Sequence, residues 1–162
     1  MLDQLDQYLL LDQMQSGEFA FHVAQSIKRA QRNFKIAWDQ SLLSTLLDNI
    51  PDYVYIKDLR SRLIRVNKFY CGKFGFTADE ILGKTDFDLF KTEHAVPAFK
   101  DEQSIIHKNQ AIIRRLEKET FPDGTTSWVS TTKVPLKDNQ GNIIGTMGIS
   151  RDVGDLKPDE DS

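Results

Sequence analysis

Cys71 is the only cysteine in the chain, so no intramolecular disulfide can form and no cysteine-rich metal site can be built. Such thiol poverty fits a reducing, cytoplasmic setting. Long apolar runs are missing too. The opening MLDQLDQYLLLDQM carries Asp3, Asp6 and Asp12 and has no basic start, so it reads as neither a signal peptide nor a membrane span. Cations are not in surplus: 21 Lys and Arg face 24 Asp and Glu, a net charge of -3. Phosphate backbones call for clustered, uncompensated cations, so nucleic acid is not an expected partner, and the one basic run, IKRAQR, reads as a solvated helix face. There is no G-x-S-x-G elbow, no Gly-rich phosphate loop and no H-E-x-x-H. His94 and His107 stand thirteen positions apart, which turns them away from a shared helix face, so no metal site is expected. Enzymatic chemistry is not expected either.

What is present suits one domain with a real core: 162 residues, of which 40% are hydrophobic and 28% charged. Residues 1–43 read as an N-terminal helical extension. Leu2, Leu5, Tyr8 and Leu9 recur at helical spacing, and Ser16 and Gly17 in QSGE predict a stop and restart. Ala20, Val23, Ile27, Ala30, Phe34 and Ala37 then keep three- and four-residue steps, the pattern of a helix packed on another helix. These six are the candidate homodimer interface. The same stripe would also serve a helix lying on its own sheet, and both readings stay open until DNIPD ends the pattern.

Beyond Pro51 the elements shorten. YVYIKD and RLIRVN are β-rich runs joined by DLRS, whose Asp58 and Ser61 favour a turn, so they are expected to pair antiparallel. Asn67 stands at a helix N-cap, Thr77 and Glu80 have capping-box spacing, and Gly83 supplies a stop. KTDFDLF reads as a single turn with Phe87 and Phe90 facing inward. TEHAVPAFKDEQSIIHKNQ is the longest helix of this half, stopped at Asn109, and Pro97 leaves two starts open, at Thr92 or at Pro97 itself. AIIRRLEKETF, TTSWVSTTKVPL and NIIGTMGISRDV are strands separated by the hairpin signals PDG and DNQG. The order predicts an α+β domain: a five-stranded antiparallel sheet with short helices on one face, preceded by the helical extension.

The run LLDNIPDYVYIKDLRSRLIRVNKFYCGKFGFTADEILGKTDFDLF, followed by KETFPDGTTSWVSTTKVPLKDNQGNIIGTMGISRDV, resembles a PAS domain over residues 44–153. The resemblance implies that sheet, a helix N-terminal to it that often dimerises, and a non-enzymatic sensory role. In such domains a small molecule, haem or flavin sits between helices and sheet, or nothing does, and the signal passes to a partner protein or output domain. A light-sensing flavin domain would need a cysteine in a GRNCRFLQ-like helix, whereas Cys71 lies in FYCGKF and reads as a packing residue. A haem ligand would sit deeper in the long helix, where Ala98 stands, so His94 reads as a helix-end histidine; His22 and His107 are no better placed. The cofactor is left open. Asp152 in RDVGD matches the family's C-terminal motif, Gly154 departs from it, and residues 154–162 form a polar, acidic tail; the chain reads either as a fragment of a longer sensor or as a single-domain protein, and Met1 before the helical extension leans towards an N-terminal or stand-alone module.

For a small polar ligand the candidate residues are Tyr55, Asn67, Phe87, Phe90, His94, Trp128, Ser130, Thr132 and Met147. Strand alternation puts Trp128, Ser130, Thr132 and Val134 on one face and Val129, Thr131 and Lys133 on the other; the lysine-bearing face is expected to meet solvent. Glu117 and Glu119 are expected to be solvent-facing, since a buried carboxylate pair would be costly. Phe121 and Trp128 flank the PDG turn as a cross-strand aromatic pair. The alternative to a sensor is a ligand-free docking or dimerisation module with a filled core.

Overall fold

The computed structural model describes residues 3–120 and 124–154. The acidic tail beyond Gly154, the helical residue Leu2 and the proposed Phe121 pairing lie outside the described residues. The chain divides after Ser44 into two compact units.

The first unit is the greater part of one helix, α1, Gln4–Asn49. The expected break at Ser16 and Gly17 does not occur. Ser16 Oγ donates to the Gln13 carbonyl at 2.9 Å, inside the helix's own geometry, and one interior glycine costs only about 1 kcal/mol. Ala20, Val23, Ile27, Ala30, Phe34 and Ala37 are all exposed on it, Phe34 at 71%. No described helix is long and apolar enough to cross a membrane.

The second unit holds β1 (Tyr53–Asp58), β2 (Leu63–Val66), α2 (Lys68–Phe74), α3 (Ala78–Ile81), α4 (Asp86–Leu89), α5 (Thr92–Lys108), β3 (Ile112–Thr120), β4 (Thr126–Lys137) and β5 (Ile143–Gly154). The strands form one sheet in the order β2-β1-β5-β4-β3, with every pairing antiparallel. Two long hairpin-linked strands follow β3 because DNQG closes as expected: the Gly141 amide donates to the Asp138 carbonyl, and Gly141 takes the left-handed φ of 87° that the turn needs.

Local chemistry places the short helices. Asn67 caps α2 by accepting from the Tyr70 amide at 3.0 Å. Its Oδ1 also accepts from the Val54 amide, while its Nδ2 reaches the Leu47, Ile50 and Asp52 carbonyls. One buried amide thus joins the end of α1, the start of β1 and α2. Glu80 caps Thr77 as the spacing predicts, and Asp88 does the same for Thr85. Of the two possible starts, α5 takes Thr92, with Pro97 inside it, and ends at Asn109 in the left-handed region.

The core gathers Tyr53, Leu63, Tyr70, Ile81 and Val129, with Phe74, Phe76, Leu89 and Phe90 packed against it. Three expectations about orientation are reversed here. Val129, Thr131 and Lys133 are buried on β4, so the lysine-bearing face is the one beneath the helices. Glu117 is half-buried and Glu119 is buried on the same side of the sheet. Phe87 is 49% exposed, and Asp86 occupies the inward position of that turn instead. The common reason is that this interior is not purely apolar: Lys57, Asp86, Lys133 and Glu117 enter it in ion pairs, and Glu119 enters as a carboxyl that burial pushes towards its neutral form.

Candidate functional site

A small cavity lies between the helices and the sheet. Tyr55 and Lys57 of β1, Glu117 of β3 and Lys133 of β4 form its sheet side. Tyr70 and Phe74 of α2, Asp86 of α4, Phe90, and His94, Ala98 and Glu102 of α5 form the helical side. The strand period explains the first group, because Tyr53, Tyr55 and Lys57 share a face. Its volume is about 30 Å³, room for about two water molecules.

Lys57 organises the site. Its Nζ donates to Asp86 Oδ2 and to Glu102 Oε1, both at 2.6 Å, with all three side chains nearly inaccessible. Burial works against the ammonium, but the two carboxylates win and raise its pKa. Burial pushes the Glu102 carboxyl up while Lys57 pulls it back. Lys133 Nζ sits 3.5 Å from Asp101 and 3.7 Å from Glu117, and Arg115 pairs with the same two acids. Burial raises the Tyr55 and Tyr70 phenols well above their ordinary values, helped by Glu102 and Asp86, so both stay neutral. Burial lowers the His94 imidazole, which lies edge-on to Phe90 with ring centres 4.9 Å apart.

Tyr55, Phe90 and His94 are the sequence candidates that the structure brings together here. Asn67 is 1% exposed, and its amide is spent on backbone groups. Phe87 packs outside against Phe99, with ring centres 5.8 Å apart. Ser130, Thr132 and Met147 belong to the opposite sheet face, where Met147 pairs with Val134, and Trp128 does not line the cavity. The sequence reading missed Lys57, Tyr70, Phe74, Asp86, Glu102, Glu117 and Lys133 as site residues. Alternation from Tyr55 could have found Lys57; nothing local marks Glu102, whose partner lies 45 positions away.

A haem or flavin does not fit. The cavity is an order of magnitude below the several hundred Å³ that such ligands occupy, and His94 is packed against Phe90. Among the described residues no group of three or more His, Cys, Asp and Glu could hold a metal ion.

A second node lies where β5 leaves the sheet. Asp152 accepts from Lys73 Nζ at 2.9 Å, Tyr53 Oη at 3.3 Å, Ser127 Oγ at 3.0 Å and the Gly154 amide at 2.9 Å. Lys73 is the largest influence holding its carboxyl down, at about 2. The last strand is therefore tied to α2, one wall of the cavity.

An antiparallel sheet cupping short helices over a polar hollow, with its final strand wired to those helices, defines a sensory type of domain. The profile of the family described as PAS fold matches residues 47–158, and the chain belongs to that family. The methanogenesis regulatory histidine kinase FilI of Methanothrix harundinacea is 29% identical over 125 residues, which are 77% of this chain and 14% of FilI. The chain thus spans a small part of that relative. VqmA of Vibrio cholerae, solved with ligand and DNA, is 28% identical with a TM-score of 0.61, over 67% of this chain and 48% of VqmA. The VqmA dimer without target DNA gives 28% and a TM-score of 0.62, over 68% and 50%. The PAS fold is a sensory and regulatory fold and is not itself a catalytic module.

Proposed function

We propose that residues 44–153 sense a small polar molecule in the cavity between the helices and the sheet, and that the preceding helix joins two chains so that occupancy alters the dimer. The observation that carries this reading is the buried Lys57, Asp86 and Glu102 cluster around a hollow. A well-packed apolar core would serve stability as well or better than buried ions, so their presence is better explained by recognition. That VqmA was solved with ligand and as a dimer supports the same reading. In this scheme Tyr55, Phe90 and His94 shape the site, and Asp152 carries its state towards the end of β5 and a partner or output domain. Over the whole chain the acids outnumber the Lys and Arg residues, which speaks against nucleic acid as the main partner.

Native mass spectrometry and an absorption spectrum of freshly purified protein test it. A bound small mass without a Soret or flavin band is expected. An empty, monodisperse dimer that gains no mass from a metabolite extract would favour the second reading, a docking module, for which the small size of the cavity speaks.

A further inference from the structure

The charges of α1 are sorted along its length. Residues 3–18 hold Asp3, Asp6, Asp12 and Glu18 with no Lys or Arg, whereas residues 19–38 hold Lys28, Arg29, Arg32 and Lys35 with no carboxylate, and all of these side chains are exposed. The helix dipole does not explain this. Its influence is confined to the first and last turns, while Asp12 and the cations lie well inside Gln4–Asn49 and the last turn has no basic residue. Pairing within the helix does not explain it either: of the four cations only Lys35 has a carboxylate, Asp39, three or four positions away.

The stripe sets a register independently of the charges. Its positions from Leu5 to Phe19 advance by four, three, four and three, and those from Ala20 to Phe34 by three, four, three and four, so the pattern mirrors itself between Phe19 and Ala20. A second α1 laid antiparallel on the first therefore brings Leu5 level with the other copy's Phe34, Leu9 with its Ala30, Asp12 with its Ile27 and Ser16 with its Val23. The same alignment matches the charges. Asp3, Asp6 and Asp12 fall one position, about 1.5 Å along the axis, from the level of Lys35, Arg32 and Lys28 respectively. A parallel pair in register does the reverse. Acid lies level with acid, Asp12 meets its own copy inside the stripe, and Glu18 stands ten positions, about 15 Å, from Lys28.

We infer that two copies of this chain join through α1 in antiparallel orientation, with the two-fold axis between Phe19 and Ala20 and the acidic half of each helix along the basic half of the other. This rests on the reading above that the helix joins two chains. It adds what that reading leaves open, the direction and register of the pair, and makes charge the element that excludes the parallel arrangement.

Sedimentation equilibrium of the unaltered chain at about 50 mM and about 500 mM NaCl reads the sign of the charge interaction. The antiparallel pair is expected to dissociate about tenfold more readily at the higher salt, because the three acid–cation levels, each present twice, are screened. A parallel pair would tighten instead, as salt relieves its repulsion. Cross-linking reads the orientation directly. Two full-length chains, both carrying Cys71→Ser, bear Leu9→Cys and Ala30→Cys; oxidising their mixture is expected to give the mixed disulfide. In a parallel pair those two positions stand about 32 Å apart along the axis, and each chain links to its own copy. Self-linked products, or a dimer that salt tightens or leaves unchanged, would overturn the antiparallel arrangement and leave the dimer standing. A chain that sediments as monomer at both salts would end the dimer reading and this inference with it. The salt series decides the matter even where the cysteine variants do not assemble.

Discussion

Lys57 on β1 and Glu102 on α5 meet in an ion pair of 2.6 Å, 45 positions apart in sequence and almost wholly hidden from solvent. With Asp86 as the third member, the pair fastens α4 and α5 to the second strand of the sheet order. Removing the cation leaves two buried carboxylates facing each other. Lys57→Met is expected to cost about 3–5 kcal/mol in urea denaturation at fixed protein concentration, and replacing all three members by apolar residues should recover most of it. A loss below about 1 kcal/mol for the single change would show that the cluster is hydrated and weakly coupled.

Asn67 makes a different kind of junction, since its partners are backbone groups of three segments. Asn67→Ala removes a helix cap and leaves buried backbone groups unsatisfied, so a loss of about 3 kcal/mol is expected. Chemical denaturation measures it; an unchanged midpoint would mean that water replaces the amide.

The Glu119 carboxyl is pushed up to about 7, chiefly by burial and then by Glu117. Its folded state holds the proton more tightly than the unfolded chain, whose carboxyl titrates near 4.5. The resulting stabilisation is complete below about pH 4.5 and is lost as pH rises through about 7. Between pH 5 and pH 8 the chain is expected to lose about 2 kcal/mol from this group. His94 acts in the opposite direction, because its lowered value favours the fold as pH rises towards the ordinary imidazole range. The difference between wild type and Glu119→Gln isolates the carboxylate, and parallel pH profiles for the two would refute the assignment.

Ile27 and Phe34 are 52% and 71% exposed on α1, two turns apart on the same stripe. If that stripe is the seam between two chains, Ile27→Asp combined with Phe34→Asp yields monomer by light scattering. A dimer mass that survives both changes places the contact elsewhere.

Much of the architecture could be read from local signals. Asn67 as the cap of α2, the Thr77 and Glu80 box, Asn109 and DNQG each act through neighbours a few positions away, so their meaning survives without a fold, whereas the bonds of Asn67 to α1 and β1 do not. Gly17 misled because a helix break depends on the strength of the turns on either side as well as on the glycine. The site was only partly legible. Tyr55, Phe90 and His94 looked like pocket residues by type, but strand alternation says which side chains travel together without saying which side is covered.

The order of strands and helices after Pro51, several of their caps and the antiparallel pairing were thus determined by the sequence alone, because backbone hydrogen bonding and turn chemistry are short-ranged, whereas the unbroken run of α1 and the start of α5 were not. The tertiary structure decided which sheet face is inside, why Lys133 and Glu119 are buried there, and that Lys57, Asp86 and Glu102 surround one hollow. An interior tolerates an ionisable group when an opposite charge arrives from elsewhere in the chain, as for Lys133, or when burial favours its neutral form, as for Glu119, and both conditions exist only once the chain has folded.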